Sequence, residues 1–132
     1  MTTLVIAEDH INVRHSIRAL LEDEADLAVV GEAGSGTEAI SIVDMLHPDI
    51  LLLDMLLGDI TGIEVTRRVR NESPKTDVVI FSMYGNQSYV SRSREAGAKG
   101  YLLKKSPPSE LLKAIRVVSS GGQYFALPPS SD

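Results

Sequence analysis

The sequence contains no cysteine, and this absence excludes two kinds of chemistry. A disulfide framework and a zinc site built on thiolates both need cysteine side chains. A chain without cysteine is compatible with a reducing compartment, and we expect a cytoplasmic protein.

Long apolar runs are also missing. No apolar stretch approaches the roughly 18 residues from which a membrane-spanning helix is predicted. The short apolar run near the N-terminus is followed at once by Glu8 and Asp9, which is unlike a signal peptide. We therefore expect no membrane partner.

Basic residues are too few for a nucleic-acid-binding domain. The chain has 13 Lys and Arg against 18 Asp and Glu, which gives a formal net charge of −5. Such a charge repels phosphodiester backbones, whereas DNA-binding domains carry a basic surface. This chain on its own is not expected to bind DNA.

What the sequence does contain is an alternation of short aliphatic runs and helical patterns. Its 132 residues, 43% of them hydrophobic, suit one domain with its own core. Strand-length runs without polar alternation, typical of a parallel sheet buried on both faces, lie at residues 4–6, 27–30, 50–53, 78–81 and 101–103. Apolar stripes at helical spacing lie at residues 13–21, 40–46, 65–69 and 111–118, with a weaker one at 89–96.

This order predicts an α/β fold, a (βα)₅ doubly wound parallel sheet of five strands. Residues 35–38 and 61–64 match the capping box that opens a helix. Pro107 and Pro108 are placed to open a last helix, and Gly121 and Gly122 to end it. We assign the domain to residues 1–122 and interpret residues 123–132, which become rich in Pro and Ser, as the start of a linker.

Polar side chains end four of the five predicted strands. They are Glu8 with Asp9, Asp54, Ser82 and Lys104. One such acid is as readily explained as a helix cap or turn former. Because ligands of open α/β sheets bind beyond the carboxyl ends of the strands, all five groups together indicate a functional site.

The chemistry of this edge favours a divalent cation and a phosphoryl group. Carboxylates 4 Å apart repel by roughly 4 kcal/mol per pair at an effective dielectric constant near 20. Oxygen ligands that leave room for water suit Mg²⁺. With Lys104 as a point charge and Ser82 as a hydroxyl donor, Asp54 becomes the candidate nucleophile that forms an aspartyl phosphate.

These motifs, with the segment AGAKGYLLKK that contains Lys104, resemble the receiver domains of two-component response regulators over residues 4–120. The resemblance implies a CheY-like sheet with strand order 2-1-3-4-5. It also implies phosphoryl transfer from a phosphohistidine of a sensor histidine kinase to Asp54. In such domains Mg²⁺ is bound by the residues that match Asp9, Asp54 and the Leu56 backbone carbonyl, and Glu8 would act through metal-bound water.

The same resemblance implies a conformational switch. Lys104 would bridge to the phosphoryl group, Ser82 would move toward it, and Tyr101, at the position of the family's switch aromatic, would fill the space left behind. Alternatively, Tyr101 only packs at the edge of the sheet.

The segment RVVSSGGQYFALPP is similar to the receiver end of LuxR-type regulators. In these regulators the next domain binds DNA through a helix-turn-helix, and the receivers form homodimers.

The sequence departs from the family pattern at three places. Gly58 stands where a proline is common, so we expect a mobile loop. Lys105 stands where a cis-proline often follows the lysine, and we expect a trans peptide, since a non-proline cis bond costs about 2.5–4 kcal/mol. Met83 follows Ser82 where a small residue is usual, and we expect Met83 and Tyr84 to slow hydrolysis of the acyl phosphate.

Alternative functions remain open at this point. A stand-alone phosphorelay receiver fits the same residues. A small-molecule phosphotransferase would need a second carboxylate at the position of Leu56, and a flavin-binding module would need a phosphate-cradling loop after the first strand. We expect no enzyme activity beyond self-phosphorylation and slow self-dephosphorylation.

Two further sets of residues are interpreted as solvated surface. The first set is His10, His15 and His47. The second set is Arg67, Arg68 and Arg70, for which a basic docking patch is the alternative.

Overall fold

The computed structural model describes residues 1–126 and contains five helices and one parallel sheet. In chain order the elements are β1 Thr2–Ala7, α1 Ile11–Glu22, β2 Leu27–Ala33, α2 Gly36–Leu46, β3 Ile50–Asp54, α3 Gly62–Glu72, β4 Asp77–Ser82, α4 Gln87–Glu95, β5 Gly100–Leu103, α5 Pro108–Ser119 and β6 Tyr124–Phe125. The strand order is β2-β1-β3-β4-β5-β6. The predicted fold and the order 2-1-3-4-5 are therefore confirmed, with a sixth strand added.

The central strands are buried because helices cover both faces of the sheet. Successive side chains of a strand point to opposite faces. Leu51 and Leu53 of β3 accordingly pack into the core beneath α2, α3 and α4, whereas Ile50 and Leu52 pack into the core beneath α1 and α5. This double burial explains why β3 reads as an uninterrupted aliphatic run.

The sixth strand was not predicted. Tyr124 and Phe125 pair in parallel with Gly100 and Tyr101 of β5. They fall within residues 123–132, which the sequence assigns to a linker, and residues 127–132 of that segment lie outside the described residues. The domain boundary at residue 122 stays a prediction.

The predicted capping boxes are only half formed. The hydroxyls of Ser35 and Thr61 accept from the backbone N–H groups of Glu38 and Glu64, as expected. The reciprocal bonds differ, because Glu38 accepts from Gly34 N and Glu64 pairs with arginines of its own helix. Both helices therefore begin where the sequence predicts them, with one bond of the motif each.

Helix α4 is weakly marked in sequence because it buries little. Val90 and Ser93 are its buried residues, so no apolar stripe develops. Asn86 opens the helix by accepting from Tyr89 N at 2.9 Å, a cap that the sequence reading missed. Within residues 1–126, no helix combines the length and the apolar character that a bilayer crossing requires.

Gly62 allows the start of α3 to lie against the end of β3. A Cβ at this position would lie 2.9 Å from Met55 Cα and 3.0 Å from the Asp54 carbonyl oxygen. Backbone atoms cannot move aside as a flexible side chain can, so we expect Gly62→Ala to lower the free energy of unfolding by about 1–3 kcal/mol. Urea denaturation measures this change. Gly34→Ala is the control, since its Cβ would meet Arg14 Nη1 at an ordinary 3.4 Å, and equal losses in both variants would contradict the argument.

Candidate functional site

The residues that the sequence singled out meet at one edge of the sheet. The parallel register pairs Ala7 with Leu53 and Asp54 with Phe81, so residues that follow β1 and end β3 lie side by side. They surround a cleft of about 260 Å³ lined by Asp9, His10, Asp54, Leu56, Gly58, Ser82, Met83, Tyr84 and Lys104. Glu8, which is fully buried, is joined to this cleft through Lys104.

Lys104 joins the two buried carboxylates. Its Nζ donates to Asp54 Oδ2 at 3.1 Å and lies 3.0 Å from Glu8 Oε2. The second contact is an ion pair without hydrogen-bond geometry, and Glu8 Oε2 makes no hydrogen bond among the described residues. The ammonium group also lies 5.3 Å from the centroid of the Phe81 ring, which confines it on the apolar side.

Burial and charge separate the pKa values of the two acids. Burial raises the pKa of Asp54 to about 6, and the charge of Glu8 acts in the same direction against the opposing effect of Lys104. Burial also raises the pKa of Glu8, but the ammonium of Lys104 and the contacts with Asp54 and the His10 backbone outweigh it, so this pKa lies below its usual value. Burial and the neighbouring charge of Glu8 therefore disfavour the ionised form of Asp54, whereas Lys104 favours the ionised form of Glu8.

A group of possible metal ligands lies at the end of β1. Ligand atoms of Glu8, Asp9 and His10 all lie within 4.8 Å of one another. The sequence predicted convergence of Glu8, Asp9 and Asp54, whereas the structure places His10 in the compact group and joins Asp54 to it through Lys104. The oxygen donors and the buried Glu8 Oε2 without a hydrogen bond fit a hard divalent cation.

His10 and Arg14 were missed as site residues. His10 is solvent-exposed, as expected, but its Nδ1 lies 3.1 Å from both Glu8 Oε1 and Asp9 Oδ1. Arg14 Nη1 donates to the Glu8 carbonyl at 2.7 Å, and its Nε donates to Glu32 Oε1 at 3.0 Å. The spacing of Arg14 on α1, one turn after His10, is the signal from which its approach to the end of β1 was foreseeable.

The loop between β3 and α3 holds the other side of Asp54. Leu56 N donates to Asp54 Oδ1 at 3.3 Å, and Leu56 forms an antiparallel bridge with Thr61. Gly58 lines the cleft with φ 88°, a left-handed conformation that proline cannot adopt. The absence of the family's proline at this position thus matches the backbone.

Ser82 and Tyr101 are connected through the backbone of Tyr84. Ser82 Oγ accepts from Tyr84 N at 3.0 Å, and Tyr101 donates its hydroxyl to the Tyr84 carbonyl at 2.5 Å. Tyr101 is fully buried in the core beneath α2, α3 and α4, and its burial raises the pKa of its hydroxyl. Ser82 and Tyr101 therefore share the Tyr84 backbone as a hydrogen-bond partner.

Met83 and Tyr84 form one wall of the cleft. The Met83 side chain is exposed and Tyr84 is partly so, with its ring 5.8 Å from that of Tyr89. Both residues line the cleft that contains Asp54, and their effect on hydrolysis of the acyl phosphate stays a prediction. The Lys104–Lys105 peptide is trans, as expected, since residues 1–126 contain no cis peptide.

The remaining candidates lie away from the cleft. His47 ends α2 with φ 45°, and its Nδ1 lies 3.2 Å from Ser73 Oγ. The arginines of α3 are largely occupied within the chain: Arg67 and Arg68 pair with Glu64, and Arg70 donates to the carbonyls of Pro74 and Thr76. A basic docking patch on α3 is therefore not favoured.

Comparison with known proteins identifies the family. The model of the response regulator receiver domain matches residues 4–116, and the chain belongs to this family. It is 36% identical over 121 residues to the uncharacterized transcriptional regulatory protein YhcZ of Bacillus subtilis, covering 92% of this chain and 56% of YhcZ. It is 34% identical over 119 residues to the nitrate/nitrite response regulator NarL of Escherichia coli, covering 90% of this chain and 55% of NarL.

A solved structure gives the same result. The crystal structure of a LuxR-family two-component response regulator from Aurantimonas superposes with a TM-score of 0.91 at 34% identity, covering 94% of this chain and 89% of the other. The chain spans about half the length of the curated relatives it matches. It is thus a receiver domain whose relatives are LuxR-type response regulators.

The buried charge of Asp54 has a measurable cost. In EDTA at pH 7 we expect Asp54→Asn to raise the free energy of unfolding by about 1–3 kcal/mol, because a neutral isostere replaces a carboxylate whose pKa is raised. Urea denaturation measures the difference. Asp9→Asn is the matched control, since the Asp9 side chain is 36% exposed and its neutralisation has a smaller effect. A destabilised Asp54→Asn variant would contradict the electrostatic account.

Proposed function

We propose that Asp54 accepts a phosphoryl group from the phosphohistidine of a sensor histidine kinase, and that the modified domain controls an output of the LuxR type. The observation that supports this most strongly is the position of Asp54, which lines a cleft together with Ser82 while Lys104 bonds to its carboxylate. A nucleophile, a hydroxyl donor and a mobile cation are the groups that phosphoryl transfer requires.

In the transfer, an Asp54 carboxylate oxygen attacks phosphorus while the bond between phosphorus and the donor histidine nitrogen breaks. The electron pair of that bond leaves with the imidazole, which is neutral once it carries one proton. Lys104 then moves from the Asp54 carboxylate to the phosphoryl oxygens. Its ion pair with Glu8 at 3.0 Å keeps the ammonium within reach of the cleft during this exchange.

Asp9 and Asp54, with the Leu56 backbone carbonyl, would hold Mg²⁺ in this site, and Glu8 would act through water bound to the ion. When bound, the ion supplies positive charge that neutralises the acids and the incoming phosphoryl oxygens. The part played by the chain itself is to present these oxygens on rigid strand ends. His10, which contacts two of the acids, would have to yield part of its contact.

Ser82 and Tyr101 form the proposed switch. Ser82 would move toward the phosphoryl group so that its Oγ donates to a phosphoryl oxygen, and this movement would break the bond that Oγ accepts from Tyr84 N. Tyr84 also accepts from Tyr101, so the change reaches β5. The population of the switched state is limited by the difference in phosphoryl affinity between the two states.

The chain spans only part of its relatives' length, which supports a separate output domain. The relative YhcZ is named a transcriptional regulatory protein, and the match covers 56% of its length. We propose that DNA is bound only through a further, C-terminal domain and that phosphorylation promotes a homodimer. A stand-alone phosphorelay receiver remains the alternative, and the length of the parent protein distinguishes the two.

Phosphorylation from a small donor tests the proposal directly. Incubation with Mg²⁺ and acetyl phosphate should add the mass of one phosphoryl group, and EDTA or the variant Asp54→Asn should abolish the addition. Intact-protein mass spectrometry provides the measurement. Rapid turnover of phosphate monoesters would instead support a small-molecule phosphotransferase, and phosphorylation that persists in Asp54→Asn would exclude Asp54 as the acceptor.

Met83 is expected to protect the acyl phosphate. Because it is exposed on the wall of the cleft, Met83→Ala should admit water more freely and shorten the lifetime of phosphorylated Asp54 several-fold. The half-life is measured after removal of excess acetyl phosphate. Met45→Ala is the control, since Met45 is equally exposed on α2 away from the cleft. An unchanged half-life in Met83→Ala would show that Met83 does not control water access.

A further inference from the structure

Asp59 joins the loop between β3 and α3 to the start of α2. Its Oδ1 accepts from Gly36 N at 2.9 Å, and its Oδ2 accepts from Thr37 N at 3.0 Å and from Thr37 Oγ1 at 2.7 Å. These partners lie more than 20 residues away in sequence, so the bonds connect two separate parts of the site's surroundings.

The bonds complete the capping of α2. The first backbone N–H groups of a helix have no partner within the helix. Ser35, the residue before the helix, accepts a hydrogen bond from Glu38 N. Asp59 accepts from the two N–H groups before it, those of Gly36 and Thr37. The N–H groups of Thr37 and Gly36 hold the pKa of the Asp59 carboxyl well below its usual range, so Asp59 stays ionised at neutral pH.

A second contact fixes the same part of the loop. Ile60 packs against Gly36 so closely that a Cβ on Gly36 would lie 2.5 Å from Ile60 Cγ1. The loop thus touches the start of α2 through a charged residue and through the apolar residue next to it. The position of the loop therefore depends on the position of α2.

The other end of the loop lies at the phosphoacceptor. Leu56 N donates to Asp54 Oδ1, and Gly58 lines the cleft. Gly58 has φ 88° and no heavy atom within 4 Å of the position a Cβ would occupy, so this residue contributes no packing of its own. Asp59 is therefore the first residue after Asp54 whose side chain forms hydrogen bonds outside the loop.

We propose that Asp59 is a positioning residue of the phosphorylation site: by capping α2, it holds the loop that presents the Leu56 carbonyl and Gly58 beside Asp54. The inference rests on the proposed function of that site and adds to it a residue outside the acidic cluster. The sequence predicts a mobile loop, because Gly58 stands in place of proline. The inference is that Asp59 keeps this loop rigid.

The test compares two caps of one helix. Asp59→Ala removes the anchor between loop and helix, whereas Ser35→Ala removes the local cap and leaves the loop attached. Both variants lower the melting temperature, but only Asp59→Ala should weaken Mg²⁺ binding, by roughly tenfold in isothermal titration calorimetry. Asp59→Asn, which keeps one acceptor oxygen, should restore part of the affinity. Equal Mg²⁺ affinity in Asp59→Ala and the wild type would overturn the proposal.

A metal-free measurement separates this proposal from the proposed function. In EDTA, amide hydrogen exchange at residues 56–60 should accelerate in Asp59→Ala and not in Ser35→Ala. Unchanged exchange in Asp59→Ala would overturn the positioning role even if Asp54 accepts phosphoryl groups normally. Conversely, a wild-type chain that resists acetyl phosphate but shows the accelerated exchange in Asp59→Ala would refute the proposed function and support the anchor. Should Asp59→Ala fail to fold, Thr37→Val, which removes one of the three bonds, replaces it in both assays.

Discussion

The contact on which the site depends is that of one ammonium group with two buried carboxylates. Lys104 reaches Asp54 and Glu8 from the end of β5, and its ammonium group is the cation that contacts both buried carboxylates. Leaving a buried charge unpaired costs several kcal/mol, so Lys104 stabilises the arrangement. The same constraint makes the site receptive, because any group that brings positive charge relieves the repulsion that Lys104 only partly offsets.

The parallel sheet fixes the positions of the residues that form this contact. Strands β1, β3, β4 and β5 are parallel neighbours, and each delivers its polar residue at the same edge. Aliphatic side chains of these strands are buried on both faces, so the strand ends cannot shift independently. The residues around the cleft that come from loops, such as Leu56 and Met83, depend on separate contacts for their positions.

The sequence predicts the elements that have a periodic pattern along the chain. It does not predict individual side-chain contacts between segments. Five strands and the edge where their polar residues meet follow from aliphatic runs and parallel topology. The two-residue strand β6 carries no periodicity, so it was interpreted as linker. Asp59 depends on the direction of its side chain toward a distant segment, which no spacing rule encodes. His10 contacts the acids one and two residues before it, and it was interpreted as solvated surface. The capping motifs located both helix starts but not the partners of Glu38 and Glu64.

The short strand β6 also changes which backbone groups the edge of the sheet exposes to other chains. Tyr124 N and Ala126 N donate to the carbonyls of Lys99 and Tyr101, so backbone groups that β5 would otherwise present to solvent are satisfied within the domain. An open strand edge invites intermolecular β-pairing, and a two-residue edge gives an incoming strand too little to template on. Within residues 1–126, β6 therefore limits edge-to-edge pairing on this side of the sheet.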